Sequence, residues 1–281
     1  MIARRTALVA LAGLTLGGAG KPAPTPVLTV MTFNVRLPNP DDGANVWSHR
    51  RALFAQTVAA ADPDVFGTQE LFQAQGDDIV RTLPRYRWFG RDRRGGHADE
   101  HMGIFYRPDR LTLLAQGDFW LSDTPDVPGS ISWGHPLPRM VTWGRFRTRD
   151  GRRFVLLDTH FPYRAEDEAA REKAARLIVA RLPAIAGTDP VVLTGDFNTT
   201  PDTATHAALV SVLRDVRQAV AHPQGPALTF HDFTGTPDRR IDWILTRGFH
   251  PLSVATMTRH KGALYPSDHF PVVARLRFQQ D

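Results

Sequence analysis

Short apolar runs of β-type residues recur along the chain, and most meet a carboxylate, a carboxamide or an imidazole at one end. Asn34 closes residues 30–33, Glu70 follows 65–68, and His160 follows 155–159. Asp196 and Asn198 follow 191–194, Asp242 opens 243–245, and Asp268 with His269 stands just before 271–274. Strand ends are rigid platforms, and ligands of α/β folds often sit beyond them. The pattern calls for a sheet protein whose chemistry lies at its strand ends.

Strands are expected at 27–33, 65–68, 86–90, 102–106, 111–122, 141–148, 154–159, 190–194, 241–246, 253–258 and 271–278, each punctuated by Gly, Pro or Asp. Asp150-Gly151 is a hairpin turn between two of them. Residues 47–61 read as a helix stopped by Asp62-Pro63. Residues 166–182 form the clearest helix, with acids early, arginines later and no Gly or Pro inside. A shorter helix is expected at 206–213. Strands outnumber helices and several are consecutive, which argues for a mixed α/β domain with two packed sheets rather than a parallel βαβ array.

The chain has 281 residues and no detectable repeat, enough to bury a large core as one domain over 27–281. Residues 1–20 have the layout of a secretory signal peptide: a basic start at Arg4-Arg5, an apolar stretch too short to span a bilayer, then small residues. Residues 21–26 are a Pro-rich linker. An exported protein, secreted, periplasmic or in the cell envelope, is therefore expected, with no transmembrane segment after signal removal, and acting as a monomer. With no cysteine, the chain has no disulfide, thiol nucleophile or thiolate-held zinc. Net charge is +5, or +3 once Arg4 and Arg5 leave with the signal. Only three basic residues are lysines (Lys21, Lys173 and Lys261), and the arginines suit bidentate phosphate contacts.

Taken singly, each polar strand end reads as a turn, a cap or a surface group. Taken together and in order, they supply carboxylates and an amide oxygen for a hard cation, and two imidazoles for acid–base work. Phosphate-ester cleavage needs that mixture. Its anionic oxygens must be neutralised, water must be oriented in line, and the leaving oxygen needs a metal or a proton.

The ordered set Thr32-Phe33-Asn34, Gln69-Glu70, Asp158-Thr159-His160, Gly195-Asp196-Phe197-Asn198, Ile241-Asp242-Trp243 and Ser267-Asp268-His269-Phe270-Pro271-Val272 resembles the endonuclease/exonuclease/phosphatase (DNase I-like) superfamily. The resemblance runs from about residue 28 to 278. It implies a four-layer α/β sandwich, with two mixed β-sheets face to face and helices outside. It further implies that Asn34, Glu70 and Asp268 surround a metal, Mg²⁺ or Mn²⁺. Asp196 would orient or deprotonate the attacking water, and Asn198 would contact phosphate. His160 and His269 would bind the scissile phosphate, with Asp242 keeping His269 cationic and Glu100 doing the same for His160. His101 competes with Glu100 as the functional residue of its segment.

The branch is less defined. Asn34-Val35-Arg36 departs from the apurinic-site enzymes, and Phe72 replaces the arginine that DNase I-like enzymes carry at that place. Residues 117–130 are similar to a bacterial subgroup known mainly by the superfamily name. The Pro-rich residues 123–138, with Trp133 and His135, are expected to form a loop near the site. Residues 85–94 interleave arginine with aromatics, as in surfaces that stack bases, although a strand with exposed arginines reads equally well. The expected activity is a metal-dependent phosphodiesterase of nuclease type. Phospholipid, inositol phosphate or sugar phosphate hydrolysis is the alternative, and a non-catalytic phosphate-binding protein is a third reading.

Overall fold

The computed structural model describes residues 27–279. The expected signal peptide and linker lie outside the described residues.

Strand β1 (Val27–Asn34), helix α1 (Trp47–Ala61) and strand β2 (Val65–Leu71) form a crossover unit, with β1 and β2 parallel and Val30 beside Val65. Helix α2 (Gln73–Thr82), β3 (Arg87–Phe89) and β4 (His101–Tyr106) follow. The chain then builds a second sheet from β5 (Leu111–Trp120), β6 (Met140–Thr148), β7 (Arg153–His160), α3 (Glu168–Ala186) and β8 (Val191–Asp196). Helix α4 (Ala204–Val210), β9 (Arg214–Asp215), α5 (Val216–Ala219) and β10 (Asp242–Arg247) complete it. Strands β11 (Phe249–Thr256) and β12 (Val272–Phe278) return to the first sheet. The strand orders are β11-β12-β1-β2-β4-β3 and β5-β6-β7-β8-β10-β9. Each sheet is mixed, with its one parallel pair bridged by a helix.

Alternation along the strands explains the layering. In β1, Leu28 and Val30 face the second sheet, whereas Met31 and Phe33 face α1 and α2. In β7 and β8, Leu156 and Val192 fill the space between the sheets, whereas Leu157, Val191 and Leu193 pack under α3. Successive side chains point to opposite faces, and both faces are covered, so these strands read as continuous apolar runs. The result is the four-layer α/β sandwich, helix–sheet–sheet–helix.

One polar pin crosses the intersheet layer. Asp158 accepts hydrogen bonds from Gln69 Nε2 at 2.7 Å and from Thr194 Oγ1 at 2.7 Å. Gly67 makes this approach feasible, since a Cβ there would lie 2.1 Å from Asp158 Oδ1. Burial raises the Asp158 carboxyl well above the usual carboxylate range, against the hydrogen bonds from Thr194 and Gln69, which favour its ionised form.

Helix α1 has the expected limits and ends where Asp62 turns left-handed, at φ 44°, before Pro63. Helix α3 runs four residues beyond the expected 182, through Pro183 to Ala186. Helix α2 was not expected: it is polar and contains Gly76, two features that argue against a helix. Packing overrides propensity there, because Gly76 lies against Trp88, and a Cβ would meet the indole at 2.6 Å. Among the described residues no helix is long and apolar enough to cross a membrane.

Candidate active site

The polar strand ends converge at one edge of the sandwich, where both sheets contribute. From the first sheet, Asn34 ends β1 and donates from Nδ2 to Glu70 Oε1 at 3.1 Å and to Asp196 Oδ2 at 3.0 Å. Glu70 sits where the β2–β4 register shifts, with φ 60°, and its other oxygen accepts from Leu37 N at 3.0 Å. Arg36 and Asn198 also have positive φ, at 57° and 50°. Each such non-glycine residue costs on the order of 1–3 kcal/mol, and such strain gathers at functional sites. Asp268 enters from the segment before β12. Ser267 Oγ bonds the Asn34 carbonyl at 2.6 Å and Asp268 Oδ1 at 3.1 Å, fixing that segment to the end of β1.

From the second sheet, Asp196 and Asp242 stand opposite each other in the β8–β10 pair, and His160 neighbours Asp196 in the β7–β8 pair. Asp196 is the hub: Oδ2 lies 3.6 Å from His160 Nε2 and 3.7 Å from His269 Nε2. Asp242 Oδ2 accepts from His269 Nδ1 at 2.9 Å. Asn198 spends its amide group inside the protein, on His160 Nε2 at 3.0 Å and the Phe161 carbonyl at 3.0 Å. It thereby positions His160 instead of offering a free donor to phosphate.

The two histidines differ sharply. Burial opposes charge on His269, but Asp242 and Asp196 outweigh it and push its pKa up to about 10. Burial, reinforced by Arg139, His269 and Arg93, holds His160 well below the ordinary imidazole value. Glu100 is the expected counterpart of Asp242, yet it stops 4.0 Å from His160 Nδ1 and pairs with Arg93 at 2.9 Å instead. Burial and the facing Glu70 push the Glu100 pKa up to about 7. His160 is therefore neutral where His269 is cationic, a departure from the matched pair expected from sequence. His101 points elsewhere: its Nδ1 donates to the Leu71 carbonyl at 2.9 Å, supporting the bulge that aims Glu70.

Some of the donors fit a hard divalent cation. Glu70, His160 and Asp196 bring ligand atoms within 4.8 Å of one another; Asp196, Asp242 and His269 do so too, but the cationic His269 has no lone pair to give. Asp268, expected as a ligand, belongs to neither group, although Glu70 contributes to the raised pKa of its buried carboxyl. Crowded carboxylates that raise one another's pKa values are short of positive charge, which a cation would supply. Asn34 turns its N–H groups toward Glu70 and Asp196, and its oxygen accepts from Arg36 N at 2.9 Å.

The sequence pattern of the Endonuclease/Exonuclease/phosphatase family matches residues 31–269, spanning every group just described. The chain belongs to this family. A solved family protein from Bacteroides thetaiotaomicron is 36% identical, with TM-score 0.85, covering 91% of this chain and 99% of that one. A mannosyl-6-phosphatase from the same organism is also 36% identical, with TM-score 0.83, covering 89% of this chain and 100% of that one. An uncharacterized protein of Acanthamoeba polyphaga mimivirus is 28% identical over 163 residues. That match covers 54% of this chain and 59% of the relative, so the chain spans less than two thirds of the relative's length. Family members are phosphoester hydrolases, and the chain is assigned to that broad class.

Sequence reasoning missed two arginines that shape this family site. Arg50 in the first turn of α1 is fully buried. It donates to the carbonyls of Val35 at 2.5 Å, Arg36 at 2.8 Å, Asn45 at 2.8 Å and Pro266 at 3.0 Å. It thus ties the loop after Asn34 to the loop before Asp268. Arg50→Met would strand these acceptors, at about 1–3 kcal/mol for each one left buried. A loss of at least ~3 kcal/mol is expected from urea unfolding, together with a fall in activity as Asn34 and Asp268 separate. Arg139, the second arginine, is 2% exposed just before β6. Neither has a motif around it, and only burial reveals them.

Residues 85–94 do not form a free cationic face. Arg85 pairs with Asp62, Arg91 with Asp118, Arg93 with Asp99 and Glu100, and Arg94 with Asp99. The expected loop 123–138 is irregular, and the irregular stretch runs wider, 121–139, because the strand expected to reach 122 ends at Trp120. Within it Trp133 donates to Asp123 at 2.8 Å, and Arg164, just after His160, donates to the Gly134 carbonyl at 2.8 Å. Beyond Asp242, Phe230 lies edge-on to His269 at 5.0 Å and beneath Arg239 at 4.4 Å.

Proposed function

We propose that this chain is an exported phosphoesterase that uses Mg²⁺ or Mn²⁺ and acts on phosphate monoesters of sugars. The observation that carries the reading is the convergence on Asp196 of a carboxylate cluster and two imidazoles, one of them held cationic by Asp242. Similarity to a mannosyl-6-phosphatase across nearly the whole chain favours a sugar phosphate. The nuclease reading placed first from sequence loses ground, because four of the five arginines in 85–94 are paired with carboxylates and the fifth, Arg87, donates to the Pro84 and Tyr86 carbonyls.

In this mechanism Asp196 holds the attacking water and accepts its proton. His269 meets the phosphoryl group with a full charge and its Nε2–H, while its Nδ1–H is held by Asp242. Neutral His160, oriented by Asn198, lines the opposite side. Asn34, Glu70 and Asp268 would hold the cation, which supplies charge neutralisation on the phosphoryl group. The arrangement of residues 1–20 as signal, 21–26 as linker and 27–281 as a monomeric catalytic domain is part of the proposal. Cell fractionation with N-terminal sequencing of the exported form tests it.

The purified protein should hydrolyse mannose 6-phosphate and p-nitrophenyl phosphate with Mg²⁺ or Mn²⁺ and stop in EDTA. Faster turnover of plasmid DNA would return the nuclease reading to first place. Metal should also raise the melting temperature without substrate, since saturation at 100 times Kd stabilises by about 2.7 kcal/mol. In Glu70→Gln with Asp268→Asn the shift should vanish. A shift that persists there would remove those residues as ligands.

A further inference from the structure

We propose that Arg139 is a substrate-contacting residue that selects a dianionic phosphate monoester over a monoanionic diester. The inference rests on the phosphoesterase reading and adds to it the residue that reads the extra charge.

Arg139 immediately precedes β6. The β6–β7 register sets Val141 beside Thr159, and Thr159 Oγ1 donates to the Met140 carbonyl at 2.8 Å, so Arg139 emerges alongside the His160 end of β7. Its own carbonyl is fixed by Leu121 N at 2.7 Å. The residue is 2% exposed. The groups acting most strongly on its charge are Glu100, Arg93, Asp196 and Glu70, all around the site.

What distinguishes Arg139 is what it lacks. Among the described residues no carboxylate lies within ion-pair distance of it, and its buried Nη1 has no hydrogen-bond partner. The other arginines here are engaged: Arg36 by Asp42 in a two-point contact, Arg93 by Asp99 and Glu100, Arg50 by four carbonyls. An uncompensated buried guanidinium is costly and is expected only where a partner arrives. An anion entering beside His160 is such a partner, and a planar fork of N–H donors matches two phosphoryl oxygens at once. A monoester has a second ionisation near pH 6 and offers three terminal oxygens at neutral pH. A diester offers one charge and two such oxygens. His269 supplies positive charge to the phosphoryl group, a bound cation would add to it, and Arg139 reads the extra charged oxygen of the monoester.

The test compares wild type, Arg139→Met and Arg139→Lys on p-nitrophenyl phosphate and bis-p-nitrophenyl phosphate with Mg²⁺, and measures inorganic phosphate binding by calorimetry. Arg139→Met should lower kcat/KM for the monoester at least tenfold more than for the diester and weaken phosphate binding about tenfold. Its melting temperature should not fall, because an unpartnered buried charge is removed. Arg139→Lys, which keeps the charge but loses the fork, should fall between the two and covers the case in which the Met variant does not fold. Equal losses on both esters, with phosphate binding unchanged, would overturn the assignment. If wild type cleaves neither ester with any metal, the phosphoesterase reading fails separately, and phosphate binding alone decides the role of Arg139.

Discussion

His269→Ala is expected to lower kcat/KM by about 10³-fold, in line with the loss of a charged donor or acid at a phosphoryl centre. It should also destabilise the protein. The imidazole is the hydrogen-bond partner of Asp242 Oδ2, and Asp242 is itself 2% exposed. Removing one member of a buried ion pair leaves the other uncompensated, at about 3–5 kcal/mol. The double variant His269→Ala, Asp242→Asn separates the two effects: stability should largely return, and activity should not. Urea unfolding and steady-state kinetics on the same preparations make the comparison. If the double variant regains turnover, His269 acts only through the fold. If the single variant keeps turnover, it has no part in the chemistry.

Asp196→Asn is expected to cost activity on a similar scale, about 10³-fold, while raising the melting temperature in EDTA. Burial and the neighbouring Asp242 push the Asp196 pKa up to about 7, against His269, which favours the ionised form. A carboxyl whose folded pKa is raised weakens the fold as pH climbs from its unfolded value toward the folded one, because the unfolded chain ionises first. The advantage of the Asn variant should therefore be absent near pH 3, grow between about pH 4 and 7, and level off above. Adding Mn²⁺ should close the gap by stabilising wild type more than the variant. A variant that melts below wild type at pH 8 in EDTA would show that Asp196 is there for structure. An active site that gains stability when its chemistry is removed is the usual sign of function held against folding.

How much of this was legible beforehand follows from the range of the interactions. Strand runs such as 27–33 and helix 47–61 are local, and period-two or helical patterning reveals them. The polar strand ends were legible as a set, and the structure brings Asn34, Glu70, His160, Asp196, Asn198, Asp242, Asp268 and His269 to one edge. Their division of labour was not. Whether an imidazole is charged depends on neighbours far off in sequence: Asp242, 27 residues away, for His269, and Arg139 and His269 for the buried His160. Glu100 resembled Asp242 in sequence, but Arg93 captures it. Helix α2 escaped notice because it is polar and carries Gly76; what holds it is the burial of Ile79 in the outer core and the packing of Gly76 against Trp88. Arg50 and Arg139 escaped because a lone arginine gives no sign of burial until strands from distant parts of the chain surround it.

The order of strands also sets when the molecule becomes competent. Strand β12, the last in the chain, lies between β11 and β1, bonding β1 from Val27 to Thr32. Until β12 is made, β1 keeps one row of amides and carbonyls unpaired. Asp268 and His269 arrive only just ahead of it. Between residues 196 and 268 a nascent chain therefore carries Asn34, Glu70, His160 and Asp196 without the means to cleave a phosphate ester. Completion of the sheet and assembly of the catalytic centre are one late event, and a polypeptide cut short before residue 272 would be an aggregation-prone, open-edged intermediate, not a slow enzyme.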